Sequence, residues 1–242
     1  FTMVDTMEVS LRNSVESLGS DVVFIQKWPW APDEGDKEYA WWRYWQRPNP
    51  TVKELEALQN RLQTVYASAF VGQTNRTVKF KNSSFESVTI QCVSHDFHLV
   101  RNLRIDEGRY FSKIESKSGK PIALIGANVQ EALFGQRQAL GKDIKFGGAE
   151  FSVVGVFKKE GESLVGNSMD DVVVIPMNYA RNVFSQRALE TYIMTKANPG
   201  VSNAEMKNEL TAVMRSIRRL RPKEINDFAL NEPSILSTAL DD

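Results

Sequence analysis

A chain of 242 residues is long enough to bury one or two hydrophobic cores. Its 30 basic and 30 acidic side chains cancel, which excludes a strong overall attraction to nucleic acid or to an anionic membrane. The single cysteine excludes an intrachain disulfide framework, and no apolar run approaches the roughly 18 residues that a membrane span requires. The chain begins at Phe1 without a signal-like apolar region, and we expect it to be a piece of a larger protein.

The N-terminal part predicts a helix, a strand and a second helix. Residues 2–18 carry an apolar stripe with helical spacing, and Gly19 is placed to end that helix. The stripe consists of Val4, Met7, Leu11, Val15 and Leu18. DVVFIQKW at 21–28 predicts a strand. Thr51 and Glu54 have the spacing of a capping box, in which each side chain satisfies the other residue's backbone N–H, so a helix is predicted to begin there.

Between this strand and this helix, WPWAPDEGDKEYAWWRYWQRPNP shows no periodicity and is interpreted as a long ordered loop. It contains all five tryptophans of the chain, which are Trp28, Trp30, Trp41, Trp42 and Trp45. Buried rings would attach the loop to the β layer and offset the entropy of ordering so long a segment. Exposed rings would instead form a stacking platform for sugars or an anchor at a membrane interface. We favour burial and keep the five residues as a candidate interaction surface.

The middle of the chain predicts mainly β structure. From 65 to 100 the hydrophobic period is mostly two, and TVKFK and SVTIQCV, separated by NSS, predict a hairpin. RIDEGRYF at 104–111 predicts a turn, PIALIG a buried strand and ANVQEALF a helix. GKDIKFGGAEFSVVGVF at 141–157 alternates around a glycine pair, which is the strongest hairpin signal in the chain. DVVVIP at 171–176 predicts a strand that ends at a proline.

The C-terminal part predicts a second β-α-β unit. TYIMTKA and NDFAL are strand patterns, and between them Ser202 and Glu205 form a second capping-box pattern that begins a helix. PSILSTAL predicts a terminal helix that starts at Pro233. The unit at 190–230 matches the one at 21–71. We therefore predict an α+β fold with two parts, a β-α-β layer from the N- and C-terminal segments and an inserted, mainly β subdomain.

The segment PIALIGANVQEALFG raises the possibility of a phosphate-binding loop, because such loops begin with a strand, a glycine and a helix. A dinucleotide-binding loop requires G-x-G-x-x-G, and Gly126 is followed instead by ANVQE. A P-loop requires Lys followed by Ser or Thr, and neither is present. Gly126 is therefore interpreted as a strand-to-helix turn, and no cofactor is predicted.

The only cysteine and the only histidines form C-x-x-H-x-x-H, with Cys92, His95 and His98. These residue types at short spacing suggest zinc, but a structural site needs a fourth ligand, for which Asp96 is an unsupported candidate. The histidines are also the only candidates for a histidine base, yet no G-x-S-x-G motif accompanies them. We expect neither a metal site nor catalytic residues.

Basic residues cluster where the second β-α-β helix is predicted to end. They are Arg215, Arg218, Arg219, Arg221 and Lys223. Cations in a last helical turn complement the helix dipole. Because the net charge is zero, we favour this interpretation over a nucleic-acid partner.

Four motifs follow one another through the middle of the chain: DEGRYFS, PIALIGANVQEALFG, ALGKDIKFGGAEFSVVGVFKKEG and GNSMDDVVVIPM. Their order and spacing resemble the extracytoplasmic core domain of MacB/FtsX-like ABC transporter permeases. The resemblance is dense over about residues 100–180 and looser on both sides. The tryptophan-rich loop is an elaboration on that pattern.

The resemblance implies three kinds of segment. A porter subdomain would comprise residues 20–104 and 186–232, and a sabre subdomain residues 105–185. Stalk helices at 1–19 and 233–242 would be the outer ends of the first two transmembrane helices. The domain would lie in the periplasm, at the extracytoplasmic face of the bacterial inner membrane, and would not be an enzyme. ATP hydrolysis would belong to a separate nucleotide-binding domain or subunit.

The function that the resemblance implies is mechanical. The domain would couple cytoplasmic ATP hydrolysis to a periplasmic conformational change, for efflux, lipoprotein extraction or signalling. The implied partners are a second permease copy that forms a homodimer through the membrane part, a cytoplasmic ATPase subunit, and a periplasmic adaptor or lipoprotein. The alternative is a periplasmic module that binds a glycan or peptide through the tryptophan-rich loop. A third hypothesis is an enzyme that uses Cys92 or the histidines.

Overall fold

The computed structural model describes residues 20–32, 41–161 and 168–233. Within these residues the chain forms two compact units. The central unit comprises residues 71–190, and the terminal unit comprises residues 20–70 and 191–233. The stalk helices predicted at 1–19 and 233–242 lie outside the described residues, apart from Pro233. In the described part of the chain, no helix has the length and apolar character needed to cross a membrane.

The elements are numbered in chain order. The strands are β1 (Val22–Gln26), β2 (Val65–Phe80), β3 (Ser83–Val93), β4 (Ile105–Gly108), β5 (Ile122–Ile125), β6 (Asp143–Phe146), β7 (Ala149–Phe157), β8 (Val172–Pro176), β9 (Glu190–Ala197) and β10 (Ala229–Asn231). The helices are α1 (Trp41–Tyr44), α2 (Val52–Gln59), α3 (Phe97–Val100), α4 (Lys113–Ser118), α5 (Ala127–Phe134), α6 (Met177–Val183) and α7 (Asn203–Ile217). A short 3-10 turn spans Gln186–Ala188.

The terminal unit is built on a sheet whose strand order is β10-β1-β9-β2. Strand β1 pairs antiparallel with both β10 and β9. Because β1 lies between two strands and is covered on both faces, its run VVFI is buried throughout and does not alternate. Helix α2 begins at the predicted capping box, where the Thr51 N–H donates to Glu54 Oε2 (2.6 Å) and the Glu54 N–H donates to Thr51 Oγ1 (3.3 Å). At α7, the Ser202 hydroxyl accepts from the Glu205 N–H, so the structure has that half of the second predicted box.

A buried guanidinium connects three segments of the terminal unit. The Arg218 side chain is 6% exposed, and its Nε donates to Glu54 Oε1 at 2.7 Å. Its Nη1 donates to Asp227 Oδ1 at 3.0 Å, and the group lies over the Phe228 ring. Nearby, Arg215 Nη1 donates to Asn226 Oδ1 at 2.7 Å. Two cations of the basic cluster are thus engaged in contacts within the domain.

The central unit contains a sheet with the order β2-β3-β8-β5-β7-β4, and β6 pairs with both β2 and β7. The two predicted hairpins are confirmed as β2–β3 and β6–β7. Gly147 and Gly148 form the turn of the second hairpin, with φ values of 59° and 80°. A two-residue hairpin turn of this type needs two successive residues in the left-handed conformation, which glycine adopts readily. The turn predicted at 104–111 is wrong for its first half, because Ile105–Gly108 forms β4 and pairs with β7.

The segment PIALIGANVQEALFG folds as predicted, into β5, a turn at Gly126 and α5. Gly126 has a φ of −70°, which any residue adopts. A Cβ at this position would lie 2.1 Å from the Asp170 carbonyl oxygen. The glycine is therefore required by the close approach of another backbone segment, and its N–H donates to the Val172 carbonyl at 2.8 Å.

The boundaries between the two compact units lie at residues 70–71 and 190–191. The family resemblance implies a change at 104–105 and 185–186 between the porter and sabre subdomains. The difference arises from β2, a 16-residue strand of which residues 65–70 belong to the terminal unit and 71–80 to the central unit. A continuous strand contains no break in its pattern that would mark a boundary. The porter and sabre assignments stay predictions.

Candidate functional site

Three of the five tryptophans form an exposed surface on the terminal unit. Trp41, Trp42 and Trp45 are 56%, 58% and 66% exposed, and we call them the tryptophan surface. Trp41 and Trp42 lie on α1, and Trp45 directly follows its last residue. Tyr44 points elsewhere and is fully buried, so it anchors the short helix. The favoured prediction of buried rings is wrong for these three residues.

The other two tryptophans are half-buried and attach the loop to the sheet. Trp28 makes edge-on contacts with the Tyr44 and Trp45 rings at 6.4 and 6.3 Å between centroids. Trp30 lies against the Phe24 ring of β1 at 5.1 Å. Trp28 and Trp30 thus attach the start of the loop to buried residues, whereas Trp41, Trp42 and Trp45 remain mostly exposed.

A nearby lysine and the ring orientations determine which kinds of contact the tryptophan surface can make with a ligand. The Lys27 ammonium lies 5.1 Å from the Trp28 centroid and 5.6 Å from that of Trp45. The Trp41 and Trp42 rings are inclined by 84° to each other. Neighbouring rings therefore present faces in different directions and do not form one flat platform. The surface offers exposed apolar area with a cation beside it.

A groove of about 460 Å³ borders the same loop in the terminal unit. Four parts of the chain line it: residues 29–32, Arg47, helix α7 and the segment that ends in β10. Arg47 and Lys207 contribute cationic side chains to the lining, and Lys207 Nζ also contacts Glu232 Oε1 at 2.6 Å. The groove was not predicted from the sequence. The pattern NDFAL predicted the strand, but its position at the edge of a sheet cannot be read from a single strand pattern.

Cys92 is not available to bind a metal ion together with His95 and His98. It lies on β3 and is fully buried, and this burial raises the pKa of its thiol to about 12. The thiol is therefore protonated at neutral pH, whereas a metal ligand or a nucleophile would be a thiolate. In the described residues, no group of three or more Cys, His, Asp or Glu side chains is arranged to hold a metal ion.

The two histidines form a ring cluster with Tyr110 in the central unit. The His95 and His98 centroids are 4.9 Å apart, and the His98 and Tyr110 centroids are 4.8 Å apart. His98 Nδ1 lies 2.8 Å from the His95 carbonyl oxygen, which fixes the orientation of the His98 ring. His95 Nδ1 is buried and has no hydrogen-bond partner among the described residues. Burial is the largest cause that lowers the pKa of His95, followed by the charge of His98.

We expect this lowered pKa to make stability fall as the pH falls. The unfolded chain takes up a proton on His95 near its ordinary pKa of about 6.5, before the folded chain does. The contribution is therefore complete above about pH 6.5 and is lost progressively below it. Urea unfolding of the wild type and His95→Gln at pH 7.5, 6.5 and 5.5 measures the effect. The variant should show the weaker pH dependence, and equal pH dependence of the two chains would contradict the assignment.

The chain matches a known protein family over most of its length. The family model described as the MacB-like periplasmic core domain matches residues 1–213. The chain belongs to the MacB-like periplasmic core domain family. The predicted resemblance is therefore confirmed. The chain is an extracytoplasmic domain of the kind found in ABC transporter permeases, as the sequence motifs indicated.

Curated relatives are similar over much of this chain. The Macrolide export ATP-binding/permease protein MacB of Marinobacter nauticus is 25% identical over 226 residues, which cover 93% of this chain and 33% of that protein. The protein of the same name from Chlorobium phaeobacteroides is 30% identical over 68% of this chain and 24% of that protein. Pyoverdine export ATP-binding/permease protein PvdT of Pseudomonas entomophila is 28% identical over 59% of this chain and 21% of its own length. The chain thus spans about a third or less of these relatives.

Two solved structures share the fold of this family member. The periplasmic region of MacB from Actinobacillus actinomycetemcomitans matches with a TM-score of 0.73 at 15% identity, over 96% of this chain and 98% of that one. The extracellular domain of the noncanonic ABC-type transporter YknZ from Gram-positive bacteria matches with a TM-score of 0.64 at 18% identity, over 87% of this chain and all of that one. The mixed helix-and-strand fold predicted from the sequence is therefore confirmed.

Proposed function

We propose that this MacB-like domain couples ATP hydrolysis in the cytoplasm to a conformational change outside the membrane. The observation that carries the proposal is the family match over residues 1–213. The names of the curated relatives combine ATP-binding and permease parts with export. In this proposal the ATPase is a separate domain or subunit, and the present domain contributes no catalytic residue. A second copy of the permease and a periplasmic adaptor or lipoprotein complete the assembly.

The pairing of β1 with β10 supports a mechanical role for the terminal unit. Strand β1 follows the N-terminal segment at 1–19, and β10 precedes the C-terminal segment at 233–242. The two strands are antiparallel neighbours, with Phe24 opposite Asn231. A displacement of either predicted stalk would therefore act on the same sheet, through adjacent hydrogen-bonded strands. In this proposal the porter comprises residues 20–104 and 186–232 and the sabre residues 105–185.

Breaking the apolar stripe of residues 2–18 in the full-length protein tests the coupling. Met7→Asp and Leu11→Asp place charges on the stripe, and Asn13→Asp places the same charge on the opposite side of the predicted helix. We expect ATPase activity to persist in all three variants and export to fall in the first two. A macrolide, the cargo named for the MacB relatives, serves as the export probe in membrane vesicles. Unchanged export by Met7→Asp and Leu11→Asp would contradict the coupling.

A second candidate function is a module that binds a glycan or peptide through the tryptophan-rich loop. The observation that favours it is the exposure of Trp41, Trp42 and Trp45 by more than half. Titration of tryptophan fluorescence with soluble peptidoglycan fragments tests this function directly. We expect quenching that saturates in the wild type and disappears when Trp41, Trp42 and Trp45 are replaced together by serine. Quenching that is equal in both chains would exclude the tryptophan surface as the site.

A further inference from the structure

The first turn of α7 holds both points at which the domain connects to its predicted stalks. Ser20 follows the segment at 1–19, and Glu232 precedes the segment at 233–242. The Asn203 side chain contacts both connections. Its Nδ2 donates to the Ser20 carbonyl oxygen at 2.8 Å and to Glu232 Oε2 at 2.9 Å. A side-chain amide carries two N–H donors, so each connection takes one of them.

A second side chain of the same helix also holds Glu232. Lys207 lies one helical turn after Asn203, and its Nζ contacts Glu232 Oε1 at 2.6 Å. The two oxygens of this carboxylate are therefore bound by two residues of α7. The Glu232 side chain is 15% exposed, so water competes weakly for these contacts. We call the contacts among Ser20, Asn203, Lys207 and Glu232 the α7 clip.

Helix α7 is suited to move as a rigid element. Its 15 residues span roughly 22 Å, and three of its apolar side chains are fully buried. They are Met206, Leu210 and Met214. The helix packs against β1 and against α2. A displacement applied at its first turn would therefore reach its later turns without a change in helix conformation.

The middle of α7 holds the residues that lead into β2. The Glu209 carboxylate accepts the N–H groups of Gln63 and Thr64, each at 2.9 Å, and it also accepts the Thr64 hydroxyl. Asn198, which follows β9, donates from its side chain to the Gln63 carbonyl oxygen at 2.7 Å and from its N–H to that of Thr64 at 2.8 Å. The start of β2 is thus fixed to α7, and β2 continues from the terminal unit into the central unit.

We propose that α7 transmits the movement of both stalks to β2, and that Asn203 is the residue that positions the two stalk connections on this helix. The inference rests on the proposed function, because it requires that the stalks move during the ATP cycle. It adds the path of the movement: through the α7 clip, along the helix, and through Glu209 to the start of β2. The competing path is the β1–β9 ladder alone, which does not involve Asn203.

The substitution Asn203→Asp separates the clip from the stability of the helix. Aspartate has the shape of asparagine, but as a carboxylate it has no N–H donor, and its charge would repel that of Glu232. A carboxylate in the first turn is nevertheless favourable for a helix, and α7 begins at Asn203. A loss of coupling in this variant would therefore not come from a weaker helix start. Asn203→Ala removes both donors without adding a charge and should act in the same direction.

Double electron–electron resonance between two copies of the full-length permease measures the transmission. Ala212→Cys places a label on α7, Ala132→Cys places one on α5 of the central unit, and both positions are exposed. In the wild-type background both distances should shift between the nucleotide-free and ATP-bound states. Asn203→Asp should reduce both shifts by roughly half or more. Glu209→Met should reduce only the shift at position 132, because it interrupts the path after α7 and leaves the clip intact.

Asn208→Asp is the matched control, because it places the same charge on an exposed position of α7 outside the clip. Both shifts should equal those of the wild type. Macrolide export per ATP hydrolysed is the second readout, in membrane vesicles. Asn203→Asp and Glu209→Met should each lower it about fivefold while the ATPase rate stays within about twofold of the wild type. Circular dichroism of the 242-residue chain checks that each variant is folded, and Glu209→Gln, which keeps one acceptor oxygen, replaces Glu209→Met if that variant is not.

Two results would overturn this inference while the proposed function stands. The first is that both shifts persist in Asn203→Asp and Asn203→Ala, which would assign the transmission to the β1–β9 ladder. The second is that the Glu209 variant changes both shifts or neither, since α7 would then not lie between the stalks and β2. Equal distances in the two nucleotide states of the wild type would instead contradict the proposed function itself, and this inference with it.

Discussion

The substitution Gly126→Ala is expected to lower the free energy of unfolding of the central unit by about 3 kcal/mol or more. The added Cβ would lie 2.1 Å from the Asp170 carbonyl oxygen and 2.3 Å from that of Met169. No side-chain rotation relieves this overlap, because both contacts are with backbone atoms. The backbone conformation itself is no obstacle, since φ is −70°. Gly126 is the N-cap of α5, where alanine is less favourable than glycine, but by less than the overlap costs. The close approach is therefore the main cause of the expected loss.

Asp170 resists the displacement that would relieve this overlap. Its carbonyl oxygen accepts the Asn128 N–H at 3.0 Å, at the start of α5. Its side chain is buried and accepts the N–H groups of Glu160 and Gly161, each at 2.9 Å. Movement of Asp170 would break these bonds in a buried site, where each lost partner costs about 1–3 kcal/mol.

Urea unfolding monitored by circular dichroism measures the effect of Gly126→Ala. Gly141→Ala is the matched control, because a Cβ there meets no atom within 4 Å and the only strain comes from a φ of +74°. The control should lose about 1–2 kcal/mol. If Gly126→Ala loses no more stability than Gly141→Ala, the close backbone approach does not explain the glycine.

The substitution Arg218→Met is expected to lower the stability of the terminal unit by about 3 kcal/mol. Methionine keeps the apolar contact with Phe228 but leaves the carboxylates of Glu54 and Asp227 without their cation. The Glu54 side chain is 12% exposed, so water replaces the lost partner poorly. Glu54 also accepts from the N-cap residue Thr51, and the start of α2 should loosen with it.

Arg221→Met serves as the control for the loss of an arginine from the same cluster. The Arg221 side chain is 86% exposed and lies 3.9 Å from Glu224, so its removal should change stability by no more than about 0.5 kcal/mol. Adding Glu54→Gln to Arg218→Met should recover part of the loss, because it removes a buried, unpaired charge. Equal unfolding midpoints for Arg218→Met and Arg221→Met would show that the buried contacts contribute little.

The elements that the sequence predicts well are those determined by neighbouring residues. Strand β5, the turn at Gly126 and helix α5 follow from an apolar run, a glycine and a helical pattern that succeed one another. The β6–β7 hairpin follows from Gly147 and Gly148, because few residues other than glycine adopt two successive left-handed conformations. The same local signals identified the family.

Distant contacts decide the features that the sequence did not predict. The segment 104–111 contains a glycine and charged residues and reads as a turn, but its first half becomes β4 because β7 offers it a pairing edge. The boundary between the units falls inside β2, within a run of six consecutive buried residues at 67–72. Neither fact is encoded within a window of ten or fifteen residues.

The tryptophan-rich loop illustrates the same limit for the candidate site. In WWRYW four aromatic residues compete for one buried position, and Tyr44 occupies it while Trp41 and Trp42 remain exposed. The choice depends on Trp28, which lies edge-on against Tyr44 from a distant part of the loop. Composition predicted that aromatic area would help to order this loop, but it could not predict which rings remain accessible to a ligand.

A distance measurement across the ATP cycle tests the proposed coupling most directly. Ala212→Cys in the full-length protein provides an exposed labelling site on the terminal unit, whereas the native Cys92 is fully buried and should remain unlabelled. Double electron–electron resonance then reports the distance between the labels of two permease copies. We predict a shift of roughly 5 Å or more between the nucleotide-free and ATP-bound states. Identical distance distributions in the two states of an active ATPase would contradict the mechanical role.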